Sequence, residues 1–420
     1  MRPLLESVRD GASPDFAAFR QALGDVLPLL DQLAETEQDP EWHAEGDVAV
    51  HTDLVLTEAY QLAEAEGLDP DTRLTLLLAA TFHDIGKALT TRRAEDASGQ
   101  SRIISPRHAD RGRSYLAYRL PELNLPGSVQ QGVLALVGHH HDLGRTLEAG
   151  TLSAYRRLAR QVDLPLLYLL ETADLQGRIT ADQASRLDDL DYFRLQAQDY
   201  GLWGNEDPYA EWREHVLNAL PGFPPAFLDL TLQQGILDHE AGLIQTPEEA
   251  VSRSYASRAG FPELVVTCGP SGSGKSSWVA EHLQGHTVVS LDALRDELAG
   301  KRADQSLNGQ VLQAAKEALR VVLRCGGKVV WDATNTRRDF RRILLGLGLD
   351  YGALTTLAVF QPPVSTVFGR NPARLYSVPP QALAQQVENA EFPYLPEAHL
   401  TLTLDEFHRE TARHGFSGDG

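Results

Sequence analysis

Residues 264–276 read Leu-Val-Val-Thr-Cys-Gly-Pro-Ser-Gly-Ser-Gly-Lys-Ser, and this stretch predicts a strand, a loop and the start of a helix. Leu264 to Cys268 are apolar or β-branched, which is typical of a buried strand. The spacing Gly-x-x-x-x-Gly-Lys-Ser in this context predicts a phosphate-binding loop, because backbone N–H groups and the positive end of the helix face the anion. The alternative is a glycine-rich turn that binds no ligand.

Such a loop implies a nucleoside triphosphate, ATP or another, bound together with Mg²⁺. Lys275 is long enough to reach the β- and γ-phosphates, and the Ser276 hydroxyl can ligate the metal ion. The residues that we predict to bind the nucleotide here are Gly269, Gly272, Ser273, Gly274, Lys275, Ser276 and Ser277.

The composition favours a multidomain protein with sizeable cores. The chain has 420 residues, of which 42% are hydrophobic and 23% charged, and this length predicts two or three domains. We find no secretory signal and no apolar run long enough to span a membrane, so we expect a cytoplasmic protein without a membrane partner. The two cysteines, Cys268 and Cys325, are far apart, which favours a reducing compartment.

The net charge of −20 is unevenly distributed. Residues 261–420 hold 16 basic and 17 acidic side chains, so most of the negative charge lies in residues 1–260. Residues 301–345 hold 10 basic and 4 acidic side chains. This pattern argues against a general nucleic-acid-binding protein, but it leaves one locally basic segment.

Ionisable residues interrupt apolar helices in the first half of the chain. His83 and Asp84 lie within an apolar helix predicted over 72–89, which is followed by a predicted polar loop over 90–105. Burying such groups unpaired is costly, and a metal ion satisfies both. Ligands on separate helices suit one or two first-row divalent ions. The candidates are His51, His83, Asp84, His108, one of the histidines 139–141, and Asp174.

These residues resemble those of the HD-domain metal phosphohydrolase superfamily, an all-helical fold. Two segments look like the HD domains attached to tRNA nucleotidyltransferases, namely His43-x-Glu45-Gly46-Asp47-Val48-x-x-His51-Thr52 and Ala173-Asp174-Leu175-Gln176-Gly177-Arg178. The resemblance implies one metal site formed by His51, His83, Asp84 and Asp174, and a second completed by His108 and His140. His140 is preferred to His139 because the superfamily histidine usually follows an apolar helix end by one residue. Lys87 either contacts a substrate phosphate or pairs with a nearby carboxylate.

The second half alternates strands and helices, which predicts a parallel sheet flanked by helices. Asp292 and Asp332 follow predicted strands, where catalytic residues of such sheets lie. Asp332 is a candidate for the Mg²⁺ side of the site and Asp292 for a general base; each could instead cap a helix. Four arginines on a following helix either grip a nucleic-acid strand or lie exposed, and these are Arg337, Arg338, Arg341 and Arg342.

This half resembles the 5′-hydroxyl polynucleotide kinase family over roughly residues 263–400. The resemblance lies in Asp292-x-x-Arg295, Asp332-Ala-Thr-Asn335 and Arg370-x-x-x-Arg374. It implies that Asp292 accepts the proton of a 5′-OH, that Arg295 binds the adjacent 3′-phosphate, and that Asp332 organises the metal. Arg374 would clamp the donor phosphates from a lid with support from Arg370, although this pair could also be a solvated face.

The two resemblances together are those of the bacterial HD-Pnk end-healing enzymes. We therefore predict an all-α HD domain over 1–220, a linker over 221–260, and an α/β P-loop kinase domain over 261–420. The implied substrates are RNA or DNA ends: ATP-dependent phosphorylation of a 5′-OH and metal-dependent hydrolysis of a 2′,3′-cyclic phosphate, or of a 2′- or 3′-phosphate. The implied HD metals are of the Mn²⁺, Ni²⁺, Co²⁺, Zn²⁺ or Fe²⁺ class, and a separate ligase would seal the ends.

Two other interpretations remain open from the sequence. One is a small-molecule nucleoside or nucleotide kinase fused to an HD nucleotidase. The other is a nucleotide-gated RNA-binding regulatory protein whose HD site holds a ligand without turnover.

Overall fold

A computed structural model of the protein describes residues 1–299 and 308–416. The chain divides into two compact units, Met1–Pro208 and Tyr209–Gly420. Within the described residues, no helix combines the length and the apolar character needed to cross a membrane.

The first unit is built of helices around an apolar core. Side chains of aspartates cap several of them, as Asp47 does by accepting a hydrogen bond from the backbone N–H of Val50. The helices are α1 (Arg2–Arg9), α2 (Phe16–Leu23), α3 (Leu29–Gln32), α4 (Val48–Ala65), α5 (Pro70–Phe82), α6 (Lys87–Thr90), α7 (His108–Ala117), α8 (Gly127–His139), α9 (Asp142–Ala149), α10 (Leu152–Ala159), α11 (Leu164–Gln176) and α12 (Gln183–Asp199).

The stretch predicted as a polar loop over 90–105 is instead an antiparallel hairpin. Its strands are β1 (Arg92–Glu95) and β2 (Ser101–Ile104), with Arg92 opposite Ile104. Asp96 closes the turn by accepting hydrogen bonds from the backbone N–H groups of residues 98 and 100. Gly99 adopts a φ of +83°, which suits glycine. The loop prediction was wrong because the strands are short and polar, so no apolar alternation marks them.

The second unit contains a six-stranded sheet in the order β4-β5-β3-β6-β7-β8, parallel except for the last pair. The phosphate-loop strand β3 lies inside the sheet, paired with β5 and β6. The strands are β3 (Glu263–Cys268), β4 (Thr287–Ser290), β5 (Lys328–Asp332), β6 (Leu354–Phe360), β7 (Leu400–Leu404) and β8 (Glu410–His414). The helices are α13 (Ala210–Ala219), α14 (Pro225–Glu240), α15 (Pro247–Arg253), α16 (Lys275–His282), α17 (Leu291–Ala299), α18 (Asn308–Arg324), α19 (Arg338–Asp350), α20 (Val364–Arg370) and α21 (Pro380–Glu388).

Residues 209–260 belong to the second unit, whereas the sequence analysis assigns 1–220 to the first domain and 221–260 to a linker. Helices α13, α14 and α15 form their own apolar core, which includes Trp212 and Phe227. Helix α14 also packs against the sheet through Leu230, which contacts Leu354 and Leu400. A linker would leave this apolar surface in water, so burial explains why the segment joins the sheet.

Arg341 on α19 is fully buried, so it neither grips a nucleic-acid strand nor lies exposed. Its Nε and Nη2 atoms donate to the Glu397 carboxylate at 2.7 and 2.9 Å, and its Nη1 donates to the Asn335 carbonyl oxygen at 3.0 Å. Both sequence alternatives are therefore wrong for this arginine, whose position on the helix faces the interior.

Replacing Arg341 with alanine is expected to destabilise the second unit by about 3–5 kcal/mol, because it leaves a buried carboxylate without its partner. The neighbouring Arg342 is exposed, and its replacement by alanine should change the free energy of unfolding by less than about 0.5 kcal/mol. Urea unfolding of both variants measures the difference. Equal unfolding midpoints would contradict a stabilising role for the Arg341–Glu397 pair.

Candidate functional site

The histidines and aspartates singled out in the first half come together in one buried cluster. His51 comes from α4, His83 and Asp84 directly follow α5, and Asp174 comes from α11. All four are buried. The His51 Nε2 atom lies 2.9 Å from Asp174 Oδ1, and His83 Nε2 lies 3.2 Å from Asp84 Oδ2. The four predicted ligands of the first metal therefore face one another.

A second group, made of histidines, lies near the other carboxylate oxygen of Asp84. Asp84 Oδ1 lies 3.2 Å from the Nε2 atom of His108 and 3.9 Å from that of His140. His141 joins this group, with its Nε2 atom 3.0 Å from His108 Nε2. Asp84 thus lies between the two groups, with one carboxylate oxygen towards each.

The tautomers of the histidines fit metal ions. In His83, His108 and His140 the Nδ1 atom donates to the carbonyl oxygen of the residue three positions earlier, at 2.7–2.8 Å. The Nε2 atom of each ring then carries a lone pair. The Nε2 atoms of His108 and His140 lie only 3.2 Å apart, so two acceptors face each other. A divalent cation between such lone pairs would remove their repulsion, and metal-bound histidines commonly donate their other N–H in this way.

The pKa shifts of Asp84, Asp174 and His140 favour the charge states of metal ligands, whereas in His51 burial is outweighed by the hydrogen bonds of Asp174 and Glu45, which raise its pKa. Burial alone would raise the pKa of Asp84, but the charge of Lys87 and the neighbouring histidines outweigh it and hold that pKa well below the usual value. In Asp174, burial is likewise outweighed, here by Arg178 and His51. Burial lowers the pKa of His140 well below its usual value. Ionised carboxylates and neutral imidazoles are the forms that bind metal.

Two glycines allow the helices that carry these ligands to approach closely. A Cβ on Gly86 would overlap the carbonyl oxygen of His108, so only glycine lets the start of α7 reach Asp84. A Cβ on Gly177 would lie 2.8 Å from the backbone N of Val55, which is one turn after His51. The glycines at 86 and 177 therefore help to set the geometry of the cluster.

The side chains of the three consecutive histidines at the end of α8, residues 139–141, face different directions. His139, the last residue of α8, bonds through Nδ1 to Asp142 at 2.7 Å, whereas His140 and His141 face the cluster. From the sequence, His140 is preferred and His141 is not selected. Glu45 also has no predicted role, although its Oε1 atom lies 3.0 Å from His51 Nδ1. The only sequence signals for these two were the histidine run and the segment 43–52.

Lys87 pairs with a carboxylate and also lines a cavity. Its Nζ atom lies 2.7 Å from Asp84 Oδ2 and 2.7 Å from Gln38 Oε1. The cavity has a volume of about 290 Å³. Its lining residues are Glu35, Thr36, Glu37, Lys87, Ala88, Thr91, Arg92, Arg93 and Ile103. Lys87 therefore pairs with a carboxylate, which is one of its two predicted roles. Its side chain also lies next to a space that could hold an anionic group.

In the second unit, the glycine-rich loop forms a cradle between β3 and α16. Gly272 and Gly274 adopt φ values of +88° and +96°, which disfavour other residues. Lys275 Nζ donates to the Pro270 carbonyl oxygen at 2.7 Å and to Ser273 Oγ at 3.2 Å. Burial lowers the pKa of Lys275 to about 8, against the opposing charge of Asp332. An anion in the cradle would stabilise its charged form.

The carboxyl ends of β4 and β5 bring the two acidic candidates to one edge of the sheet. Asp332 ends β5, and its Oδ2 atom accepts a hydrogen bond from Ser276 Oγ at 2.8 Å. Asp292 lies just beyond β4, its side chain is 61% exposed, and it pairs with Arg295 at 2.7 Å. Ser276 and Asp332 are therefore close together, as a Mg²⁺ site requires. Asp292 is accessible to a hydroxyl group that would accept the phosphate.

The two predicted lid arginines have different surroundings. Burial is the main cause of the lowered pKa of Lys275, and the charge of Arg374 lowers it further, so Arg374 lies on the same side of the loop as that lysine. Arg370 donates through Nη2 to the Glu406 carbonyl oxygen at 2.6 Å, which ties α20 to the turn between β7 and β8. That turn places His408 where a Cβ on Gly274 would overlap its ring.

Two family models match the chain. One, described as an HD domain, matches residues 48–189, and the other, described as an AAA domain, matches residues 264–393. The predicted fold class is therefore confirmed: a mostly helical HD domain is followed by a P-loop domain with a mainly parallel sheet. The HD domain implies a divalent metal, and the P-loop implies a nucleoside triphosphate with Mg²⁺.

Curated proteins similar to this chain share the name Multifunctional CCA protein. The one from Vibrio cholerae serotype O1 (strain ATCC 39541 / Classical Ogawa 395 / O395) is 27% identical over 167 residues, which is 38% of this chain and 37% of that protein. The one from Cupriavidus metallidurans is 30% identical over 145 residues, 34% of this chain and 30% of that protein. The chain thus spans about a third of the length of the curated relatives that it matches.

Proposed function

We propose that the protein repairs broken nucleic-acid ends with two activities. The P-loop domain transfers the γ-phosphate of a nucleoside triphosphate to a 5′-OH end. The HD domain hydrolyses a 2′,3′-cyclic phosphate, or a 2′- or 3′-phosphate, at the other end. The observation that carries the proposal is that one chain contains both a glycine-rich loop of the phosphate-binding type near an exposed carboxylate and a buried cluster of histidines and aspartates that could hold divalent metal.

In the kinase half, each residue has a role that follows from its position. Lys275 lies in the cradle, where its charge would neutralise the β- and γ-phosphates, and Arg374 adds a second positive charge. Ser276 and Asp332, which are hydrogen-bonded to each other at 2.8 Å, would hold Mg²⁺. Asp292 accepts the proton of the attacking hydroxyl while Arg295 beside it binds the neighbouring phosphate. Phosphoryl transfer depends mainly on such positioning and charge neutralisation.

The exposure of Asp292 favours a polymer end over a small-molecule acceptor. A nucleoside kinase encloses its acceptor in a pocket, because a small ligand gains affinity from burial of most of its surface. An exposed base at the edge of the sheet instead allows the acceptor strand to continue into solvent. RNA and DNA ends are therefore the proposed substrates, and a separate ligase would act on the products.

In the HD half, the chain's own residues bind and orient the phosphate ester. A divalent ion bound by the cluster would polarise a phosphoryl oxygen and lower the pKa of a water molecule. Asp84 and Asp174 remain ionised, and His108 and His140 donate through Nδ1 to backbone carbonyl oxygens, which turns their Nε2 atoms towards the cluster. Lys87 supplies a positive charge beside Asp84, at the cavity where the phosphate would enter.

The test is end analysis of a short RNA with a 5′-OH and a 2′,3′-cyclic phosphate, incubated with ATP and a panel of divalent ions. We expect a new 5′-phosphate and loss of the cyclic phosphate. Free nucleosides offered with labelled ATP provide the comparison. Label on the nucleosides but not on the RNA would contradict the proposed acceptor.

Asp292→Asn is expected to lower the rate of 5′-phosphorylation by about 10²–10⁴-fold, the usual contribution of a general base. The variant keeps the size of the side chain and removes its basicity. Asp296→Asn, one turn later on α17, is the matched control and should retain the wild-type rate. Transfer of labelled phosphate to a 5′-OH oligonucleotide measures both, and equal rates would contradict the role of Asp292.

A further inference from the structure

An exposed tryptophan stands beside the HD cluster and has no part in a core. Trp42 is 41% exposed, whereas Trp212, Trp278 and Trp331 are buried. The next residue, His43, contacts His51 edge to face, with ring centroids 4.7 Å apart. Trp42 is thus one residue away from the wall of the cluster.

The segment that carries Trp42 is fixed at both ends, although it is neither helix nor strand. On one side, the Asp39 carboxylate accepts hydrogen bonds from Ile103 N at 3.2 Å and Arg102 Nη2 at 2.9 Å. On the other, Ala44 N donates to the Ile179 carbonyl oxygen at 3.2 Å. The backbone of Trp42 itself donates to the Asp39 carbonyl oxygen at 3.1 Å. The exposure of the ring is therefore held in place by the fold.

Apolar surface and two arginines surround the ring, and each arginine is paired with an aspartate, Arg186 with Asp182 and Arg178 with Asp174. The Arg186 guanidinium lies over the Trp42 ring, 5.4 Å from its centroid. Ile179, which is 60% exposed, belongs to the segment that is hydrogen-bonded to residues 44 and 45. Arg178 precedes it and bonds to Asp174 in the cluster, with Nε 3.0 Å from Oδ1. Flat aromatic surface next to arginines is the combination that proteins use to bind single-stranded nucleic acid.

We infer that Trp42 is a stacking platform for the terminal nucleobase of the strand whose phosphate reaches the Asp84 cluster. The inference rests on the proposed HD activity and narrows its substrate to nucleotide ends, as opposed to phosphate esters in general. Stacking on an aromatic ring stabilises binding by about 1–3 kcal/mol per base and accepts every base, so sequence preference should be weak.

The first test compares two substrates of the HD site. Trp42→Ala should lower the ratio of kcat/KM for a 2′,3′-cyclic-phosphate RNA to kcat/KM for bis(p-nitrophenyl) phosphate by about tenfold, mainly through KM for the RNA. Trp42→Phe, which keeps an aromatic face, should recover most of that ratio. Tyr192→Ala removes a 65% exposed aromatic ring from the same unit and is the control. An unchanged ratio in Trp42→Ala would overturn the inference.

The second test does not depend on turnover. Binding of the RNA, with chelator and without nucleoside triphosphate, should quench tryptophan fluorescence in the wild type and to a smaller extent in Trp42→Phe. An equal quench in both proteins would overturn the platform. Quenching that depends on Trp42 without any hydrolysis would support the platform and contradict the proposed HD activity. Hydrolysis by the wild type, with no lowered kcat/KM ratio in Trp42→Ala and no Trp42-dependent quenching, would support the proposed HD activity and contradict the platform.

Discussion

Lys275→Ala is expected to abolish 5′-phosphorylation, with a loss on the order of 10³-fold or more. Lys275 is buried in the phosphate cradle, where its Nζ atom rests against the Pro270 carbonyl oxygen and Ser273 Oγ. Its positive charge meets the transferred phosphate in a site with little water, where charge neutralisation acts most strongly. Alanine removes that charge, and it leaves the loop glycines and the backbone N–H groups in place.

The measurement is label transfer from ATP to a 5′-OH oligonucleotide, with hydrolysis of the cyclic phosphate followed in the same sample. Hydrolysis should persist, since Lys275 has no part in the HD cluster. Lys328→Ala is the matched control, because Lys328 is an exposed lysine at the start of β5 that pairs with Glu263 at 2.8 Å. An exposed pair contributes at most about 1 kcal/mol, so this variant should keep its activity. Label transfer by Lys275→Ala at the wild-type rate would refute the cradle as the donor site.

Asp84→Ala is expected to abolish hydrolysis of the cyclic phosphate, again by about 10³-fold or more. Among the cluster residues, Asp84 alone directs one oxygen to the His51–His83 group and the other to the His108–His140 group. Its removal takes a negative charge from both groups at once, so metal content should fall together with activity. Metal analysis after reconstitution with a divalent ion measures binding independently of turnover, and 5′-phosphorylation should persist.

The adjacent histidines supply the matched control for this site. His140→Gln removes a ring nitrogen that faces Asp84, whereas His139→Gln removes one that bonds to Asp142. We expect the first to lose metal and hydrolysis and the second to retain both. If the two variants behave alike, or if His139→Gln is the more impaired, the direction of the side chains after α8 has no bearing on metal binding.

The chemistry of the two sites was largely predictable from sequence because it depends on short-range spacing. The loop of residues 269–276 and the pair His83–Asp84 can be found within a few consecutive residues. The structure brings the predicted ligands on α4, α7 and α11, and those directly after α5 and α8, into one cluster. Their roles as metal ligands, like those of Asp292 and Arg374 in the kinase half, stay predictions for the experiments above.

The choice between neighbouring residues required the tertiary structure. Helix α8 ends at His139, so helical periodicity no longer indicates where His140 and His141 point. Arg341 is predicted from the sequence to lie on the surface. In the structure it is buried and paired with Glu397, which is far away in sequence. Residues 221–260 are predicted as a linker, whereas α14 packs against the sheet through Leu230 and shares an apolar core with α13 and α15.

The sequence by itself therefore determined which residues can handle phosphate and metal, because local spacing and composition fix a loop, a helix and a ligand type. Only the tertiary structure decided which of these side chains face one another. That outcome depends on close approaches, such as those at Gly86 and Gly177, between segments that are distant in sequence. Packing of this kind leaves no local signal, because it is set by the burial of apolar surface over the whole unit.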